Sequence, residues 1–236
     1  MSIIRSLCRG ALVLGAAALP VVPAAGQTTP SRVAFGANLQ GLKPQGEFAE
    51  NVNFAGGLAG NVVYALDDAG IIALRADVGF LIYGSERYRV PLGGGPLGLI
   101  NVDVNTTNSI FHGGVGLQLL APGTTVRPYA NATAGFSYFS TSSSATGSGN
   151  DEPFANSTNY SDAGFAWTAG GGLYVPLRAG NTRIQLDLGA TWMDNGSREY
   201  LRPDGITFEN GGVQLNPVRS QAQALRFHLG IIVPLH

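Results

Sequence analysis

Residues 223–236 read QALRFHLGIIVPLH, and how this stretch is read decides the fold. Leu225, Phe227, Leu229, Ile231, Val233 and Leu235 share one parity, while Arg226, His228 and Gly230 take the other. Successive side chains of a strand point to opposite faces, so this is a strand with one wholly apolar face. The other face carries an arginine and a histidine, which an ordinary buried strand does not tolerate unpaired.

Seven further segments show the same period, and helix-period patterns are hard to find. They cover residues 32–40, 52–65, 70–83, 108–120, 126–139, 164–177 and 183–193. Their connections alternate in length: 66–69, 121–125 and 178–182 are tight, whereas 41–51, 84–107, 140–163 and 194–222 are long. Short turns on one side and long loops on the other are what a membrane barrel shows, with periplasmic turns and extracellular loops. Residues 86–90 and 99–104 read as strands three and four continuing beyond the membrane. The arms flanking Asn210-Gly211 are too short to span and read as an external hairpin. Ten strands is the minor alternative.

Alternation alone does not separate a membrane barrel from a soluble one. The second face does, because Gly57, Ala59, Asn61, Ala73, Gly114, Gly116, Asn131, Thr133, Gly135, Thr168, Gly170, Gly172 and Gly189 are small and uncharged. They suit a narrow packed lumen and would make a poor solvated exterior. On the apolar face, Phe54, Phe80, Phe111, Phe136, Tyr138, Phe165, Trp167 and Trp192 all fall toward the long-loop end, as an outer aromatic girdle requires. Phe35 and Tyr64 are the candidates for the inner girdle. A spanning sheet must pair every backbone group, so the first and last strands are expected to close on each other. The fold class is therefore an all-β, closed, antiparallel eight-stranded transmembrane up-and-down β-barrel.

Composition agrees. Only 12% of the 236 residues are charged, Lys43 is the single lysine, and no run reaches the ~18 apolar residues of a membrane helix. Residues 1–26 read as a signal peptide, with Arg5 and Arg9, an apolar run over 10–22, and Ala24-Ala25-Gly26 as the processing region. Cleavage is expected before Gln27, or alternatively after Ala24, leaving 27–236 as the barrel domain. The sole cysteine, Cys8, lies in the signal, so no disulfide is expected. Removing two of 14 basic residues against 15 acidic ones leaves 12 − 15, a net charge of −3, which excludes a nucleic-acid footprint.

A signal peptide, eight alternating strands, short inner turns, long outer loops and a terminal membrane strand resemble the small outer-membrane barrels of the OmpX and opacity-protein kind, similar to the OmpA transmembrane domain. The resemblance implies export to the outer membrane of a Gram-negative-type cell and insertion by the outer-membrane assembly machinery. It also implies contact with outer-membrane lipid and lipopolysaccharide. Such barrels usually end in Phe, where this chain has His236.

The lumen parity collects Arg75, Asp77, His112, Asp187, Arg226 and His228 at similar depth. Two arginines and two aspartates balance, so a paired network keying strand register is expected, with Asp187 a partner for the last strand. A narrow pore for ions or small solutes is one alternative. A lipid A-modifying enzyme is another, because Phe111-His112 is similar to the Phe-His of outer-membrane deacylases. Those need a Ser two residues on, where Gly114 stands, and no catalytic residue is assigned. No cofactor or metal site is expected, since three scattered histidines and the pairs Asp67-Asp68 and Asp151-Glu152 lack ligand spacing. A monomer acting through its loops on an extracellular ligand is the expected role. The ribbon over 84–107 is expected to shield the barrel mouth, the alternative being an open edge for strand addition.

Overall fold

A computed structural model describes residues 32–92, 100–123, 126–147, 153–179, 182–209 and 212–235. The expected signal segment with its cleavage point, the Asn210-Gly211 turn and His236 lie outside them. The described residues form β1 (Val33–Gln45), a short helix α1 (Glu47–Asn51), β2 (Ala55–Ala65), β3 (Ile72–Leu92), β4 (Ile100–Leu120), β5 (Arg127–Gly147), β6 (Pro153–Ala179), β7 (Thr182–Glu209) and β8 (Gly212–Pro234). Each strand pairs with its neighbour in sequence, and β1 pairs antiparallel with β8 from Ala34↔Pro234 to Gln45↔Gln223. The eight-stranded barrel is closed, and the ten-stranded alternative falls away.

The apolar face points outward all round. Leu39, Leu58, Val115 and Leu229 are among the most exposed large side chains, at 62%, 63%, 67% and 48%. An exposed apolar belt of this extent is stable only against lipid. Inside, glycine lets adjacent strands and side chains approach. A Cβ on Gly135 would strike the Gly113 carbonyl and the Gly114 Cα of β4.

The turn joining β2 to β3 is fixed by Asp67, whose Oδ1 accepts from the amides of Ile71 (2.9 Å) and Ile72 (2.8 Å). Those backbone bonds, Ile72 first, hold its carboxyl below the ordinary carboxylate range. Arg32 pairs with Asp68 beside it.

The opposite end differs from the sequence expectation. Segments 84–107, 140–163 and 194–222, expected as loops apart from short strand pieces, are largely strand: β3 runs on to Leu92, β5 to Gly147 and β7 to Glu209. Polar cross-strand pairs support the ladder there, such as Thr106 Oγ1 to Ser143 Oγ at 2.7 Å and Ser109 Oγ to Ser140 Oγ at 3.0 Å. β6 and β7 pair only up to Trp167↔Asp194. Beyond that point the sheet splits into a four-stranded β3–β6 extension and a two-stranded β7–β8 ribbon.

The first long loop is also corrected. β1 continues to Gln45, Gly46 takes a positive φ of 54°, and α1 follows. The second strand starts at Ala55, so Val52 does not face lipid with Phe54; it is 1% exposed, inside the barrel mouth. Phe48 and Val52 are one helical turn apart, which places both on the same side of α1.

Candidate functional site: a layered lumen beneath an extended surface

The lumen has three layers. At the turn end, Val63, Ala73, Tyr129, Tyr174 and Ile232 form a small apolar cluster, with Ala34 and Leu120 packed against it. At the other end, Leu42, Phe48, Val52, Leu81, Tyr83, Ile110, Phe139, Met193 and Tyr200 form a larger one. Phe48 is fully buried and packs edge-on to Tyr200 (centroids 5.3 Å, 84°) and to Phe139 (6.1 Å, 72°). β7 seals the same mouth through Tyr200 and Leu201, with the Tyr83 hydroxyl donating to the Leu201 carbonyl at 3.1 Å. The mouth is thus closed by an apolar plug drawn from two loop regions.

Between the apolar layers lies a polar belt, and the structure places all six sequence-selected lumen residues on the inner face, in two groups. Arg75 Nε donates to Asp77 Oδ1 at 3.0 Å, its Nη1 donates to Gln118 Oε1 at 2.8 Å, and its guanidinium lies 5.7 Å from the Tyr129 ring centre. The Tyr129 hydroxyl donates to Asp187 Oδ1 at 2.7 Å, and His228 Nε2 stands 2.9 Å from that hydroxyl and 3.3 Å from the carboxylate. Asp187 therefore meets His228 of the next strand.

The expected balance of two arginines against two aspartates does not hold pair by pair. Arg226, 6% exposed, has no carboxylate within ion-pair distance among the described residues. Its Nη1 faces His112 Nε2 at 3.3 Å, and Gln40 Nε2 lies 3.4 Å from the same imidazole nitrogen. The two groups differ because Asp77 is already engaged bidentately by Arg75, from the same face of one strand two residues away.

Sequence reasoning missed Tyr129, Tyr174, Gln118 and Gln40 as members of this belt. All four have lumen parity, and that signal was available: Tyr129 sits between Pro128 and Ala130, and Tyr174 between Leu173 and Val175. Of the eight aromatics, Phe54, Phe80, Phe111, Phe136, Tyr138, Phe165 and Trp167 are exposed on the outer face, Phe165 at 65% and Phe54 at 59%, Trp192 is half-buried there, and the rungs Phe80–Phe111–Tyr138 and Phe136–Phe165 are shared across strands.

Above that aromatic row, the β7–β8 ribbon is tied to β6 by side chains instead of a ladder. Asp162 Oδ2 accepts the Glu199 amide at 2.8 Å, Arg198 donates to the Phe165 carbonyl at 2.6 Å, and Tyr160 bonds the Glu199 carboxylate, which also pairs with Arg219 at 2.8 Å. The Tyr160 hydroxyl and then Arg219 hold Glu199 below the usual carboxylate range, while that same bond pushes Tyr160 up to about 12. On β3, Arg89 Nε donates to Asp103 Oδ1 at 3.0 Å and lowers that carboxyl in the same way.

A closed up-and-down barrel with an apolar outer belt, an aromatic row and a filled polar lumen defines a transmembrane β-barrel. No protein-family model matches the chain, and no curated protein matches it. Among solved structures it is similar to Neisserial surface protein A (NspA), at 12% identity over 87% of this chain and 98% of that one, with a TM-score of 0.42. It is similar to Ail, the attachment invasion locus protein of Yersinia pestis, at 10% identity over 87% and 97%, with a TM-score of 0.39. A major outer membrane protein from Thermus thermophilus follows at 17% identity over 85% and 98%, TM-score 0.37. At these identities and scores the likeness carries no argument about partner or activity.

Proposed function

We propose that this chain is a non-enzymatic, monomeric outer-membrane barrel, exported by its signal segment, that works as a surface-interaction protein through its extracellular strand extensions. The observation that carries this reading is the Phe48 plug. An eight-stranded barrel has room for side chains and little else, and here the mouth is filled by aromatic and aliphatic groups above a belt of hydrogen-bonded polar ones. What projects beyond the membrane is an ordered four-stranded sheet and a ribbon, larger than a simple barrel closure requires. The enzyme alternative is disfavoured by the place of His112, which is 4% exposed, beside Arg226 on the lumen face and opposite to the lipid-facing side chains.

Cells displaying the intact protein are compared with cells displaying a barrel whose 85–107, 140–163 and 197–221 segments are replaced by short turns, for retention on glycan- and protein-coated surfaces. Loss of retention with the barrel still folded supports the reading. Steady conductance in planar bilayers, lost on neutralising Arg75 or Arg226, overturns it in favour of a pore. Deacylation of lipid A abolished by His112→Ala overturns it in favour of an enzyme.

A further inference from the structure

The outer face of β4, β5 and β6 changes character abruptly just beyond the aromatic row. Directly paired residues of a sheet share a face, so register alone defines the rungs of this surface. The last aromatic rung is Phe111–Tyr138–Ala163. The next three are Ser109–Ser140–Ser161, Thr107–Ser142–Thr158 and Asn105–Ser144–Asn156, the bulge at Asn159 resetting the β6 parity so that the array stays in step. Same-face neighbours are about 7 Å apart along a strand and about 4.8 Å across strands, so the nine side chains cover about 14 Å by 10 Å.

Seven of the nine are hydroxyls and two are amides, each able to donate and accept, and none is ionisable. Ser109 and Ser140 bond each other. The six of the two outer rungs make no side-chain hydrogen bond to other described residues, and with Ser143 and Ser157 they line an open cleft of about 240 Å³. Exposed Arg87 of β3 stands directly across from Asn105 on this face, at the edge of the array, and the next rung above carries the joined pair Arg89 and Asp103.

We propose that this face binds the neutral sugar rings of the glycolipid that surrounds the barrel in the outer leaflet. Continuity of the face decides the occupant. Below the array the same strands present aromatic side chains to acyl chains and headgroups, so the array stands at the height where the glycan of a neighbouring glycolipid begins. Its chemistry decides which part of that glycan. Phosphate or carboxylate groups call for Arg or Lys, and the nine side chains include neither, Arg87 standing only at the β3 edge beside Asn105, whereas ring hydroxyls are matched by side chains that donate and accept at fixed spacing. The inference rests on the extension being extracellular, as proposed above.

The test uses the full-length protein folded into phospholipid nanodiscs and titrated with two probes: the dephosphorylated core oligosaccharide released from lipopolysaccharide by mild acid, and lipid A stripped of its core. We expect binding of the oligosaccharide, weakened at least tenfold in Thr107→Val/Ser142→Ala/Thr158→Val and unaltered in Arg87→Gln. The lipid A probe should be indifferent to the rung variant. A second variant, Ser144→Ala/Asn156→Ala, guards against misfolding of the first, and both are checked for unchanged unfolding midpoints. Equal oligosaccharide binding by wild type and both rung variants overturns the proposal. So does binding that follows Arg87 and phosphate instead, or a dimer dispersed by the rung variants, which would make the face a contact between copies. Should oligosaccharide binding fail while cell retention still depends on the extensions, only this inference falls and the surface-interaction reading stands.

Discussion

Phe48, on a five-residue helix between β1 and β2, stands edge-on to Tyr200 of β7, more than 150 residues away in the chain, with ring centroids 5.3 Å apart and planes at 84°. The pair joins α1 and β7 in one buried cluster at the mouth. Phe48→Ala removes a fully buried ring from a cluster that includes Phe139 and Tyr83, and is expected to cost about 3–5 kcal/mol. A lowered urea midpoint at unchanged slope for protein folded in lipid checks it. An unchanged midpoint would mean that α1 does not hold the mouth closed.

Removing the partner of Arg75 and removing Arg226 itself should have opposite effects on stability. Asp77→Ala leaves Arg75, 4% exposed, without its carboxylate, and an unpaired buried charge costs about 3–5 kcal/mol. Arg226 has no carboxylate partner to leave behind, and its Nε is unpaired in the described structure. Arg226→Met, of similar length and apolar, is therefore expected to be neutral or stabilising by about 1–4 kcal/mol. Paired unfolding curves in the same lipid decide between them. Equal losses would show that Arg226 is held by the belt as firmly as Arg75.

Where the sequence was legible, one face had to be apolar. The alternation from Val33 to Leu39, or from Leu225 to Val233, reports the strand directly because lipid demands it. Above the aromatic row neither face is buried in lipid, so Ser140, Thr141, Ser142 and Ser143 carry no period and the strand reads as loop. α1 escaped for a different reason: five residues are too few for a helical period, and Val52 with Phe54 mimicked a strand. The polar belt was legible as a set of positions with one parity, but its pairing was not. Whether Arg226 meets Asp187 or His112 depends on side-chain reach across the lumen, between strands far apart in the chain.

Glycine positions separate crowding from flexibility. A Cβ on Gly135 would meet the backbone of β4, so Gly135→Ala is expected to cost about 1–3 kcal/mol through strain. Gly60, on the outer face, has only the Gly36 carbonyl at 3.6 Å and a Val78 methyl at 4.0 Å near that point. Gly60→Ala should be neutral or stabilising by about 0.4–1 kcal/mol through lost chain entropy in the unfolded state. Folding yield and unfolding midpoints of the two variants, measured side by side, test the contrast.

The tie between β6 and the β7–β8 ribbon should depend on pH only in acid. Glu199 is charged in the tie, where the Tyr160 hydroxyl and Arg219 lower its pKa from an ordinary 4.5. A carboxyl with a depressed folded-state pKa contributes its stability fully above the unfolded value and loses it as pH falls through the folded one. Amide protection over 197–207, corrected for intrinsic exchange, is therefore expected to be equal at pH 8 and pH 6, and to drop only below the ordinary carboxylate range. Tyr160→Phe removes the larger of the two stabilising contacts, so the drop should move to higher pH. Glu199→Gln keeps an acceptor for Tyr160 but loses the charge, and should flatten the dependence. Protection that falls between pH 8 and pH 6 would mean that another group governs the ribbon and that the Glu199 tie does not.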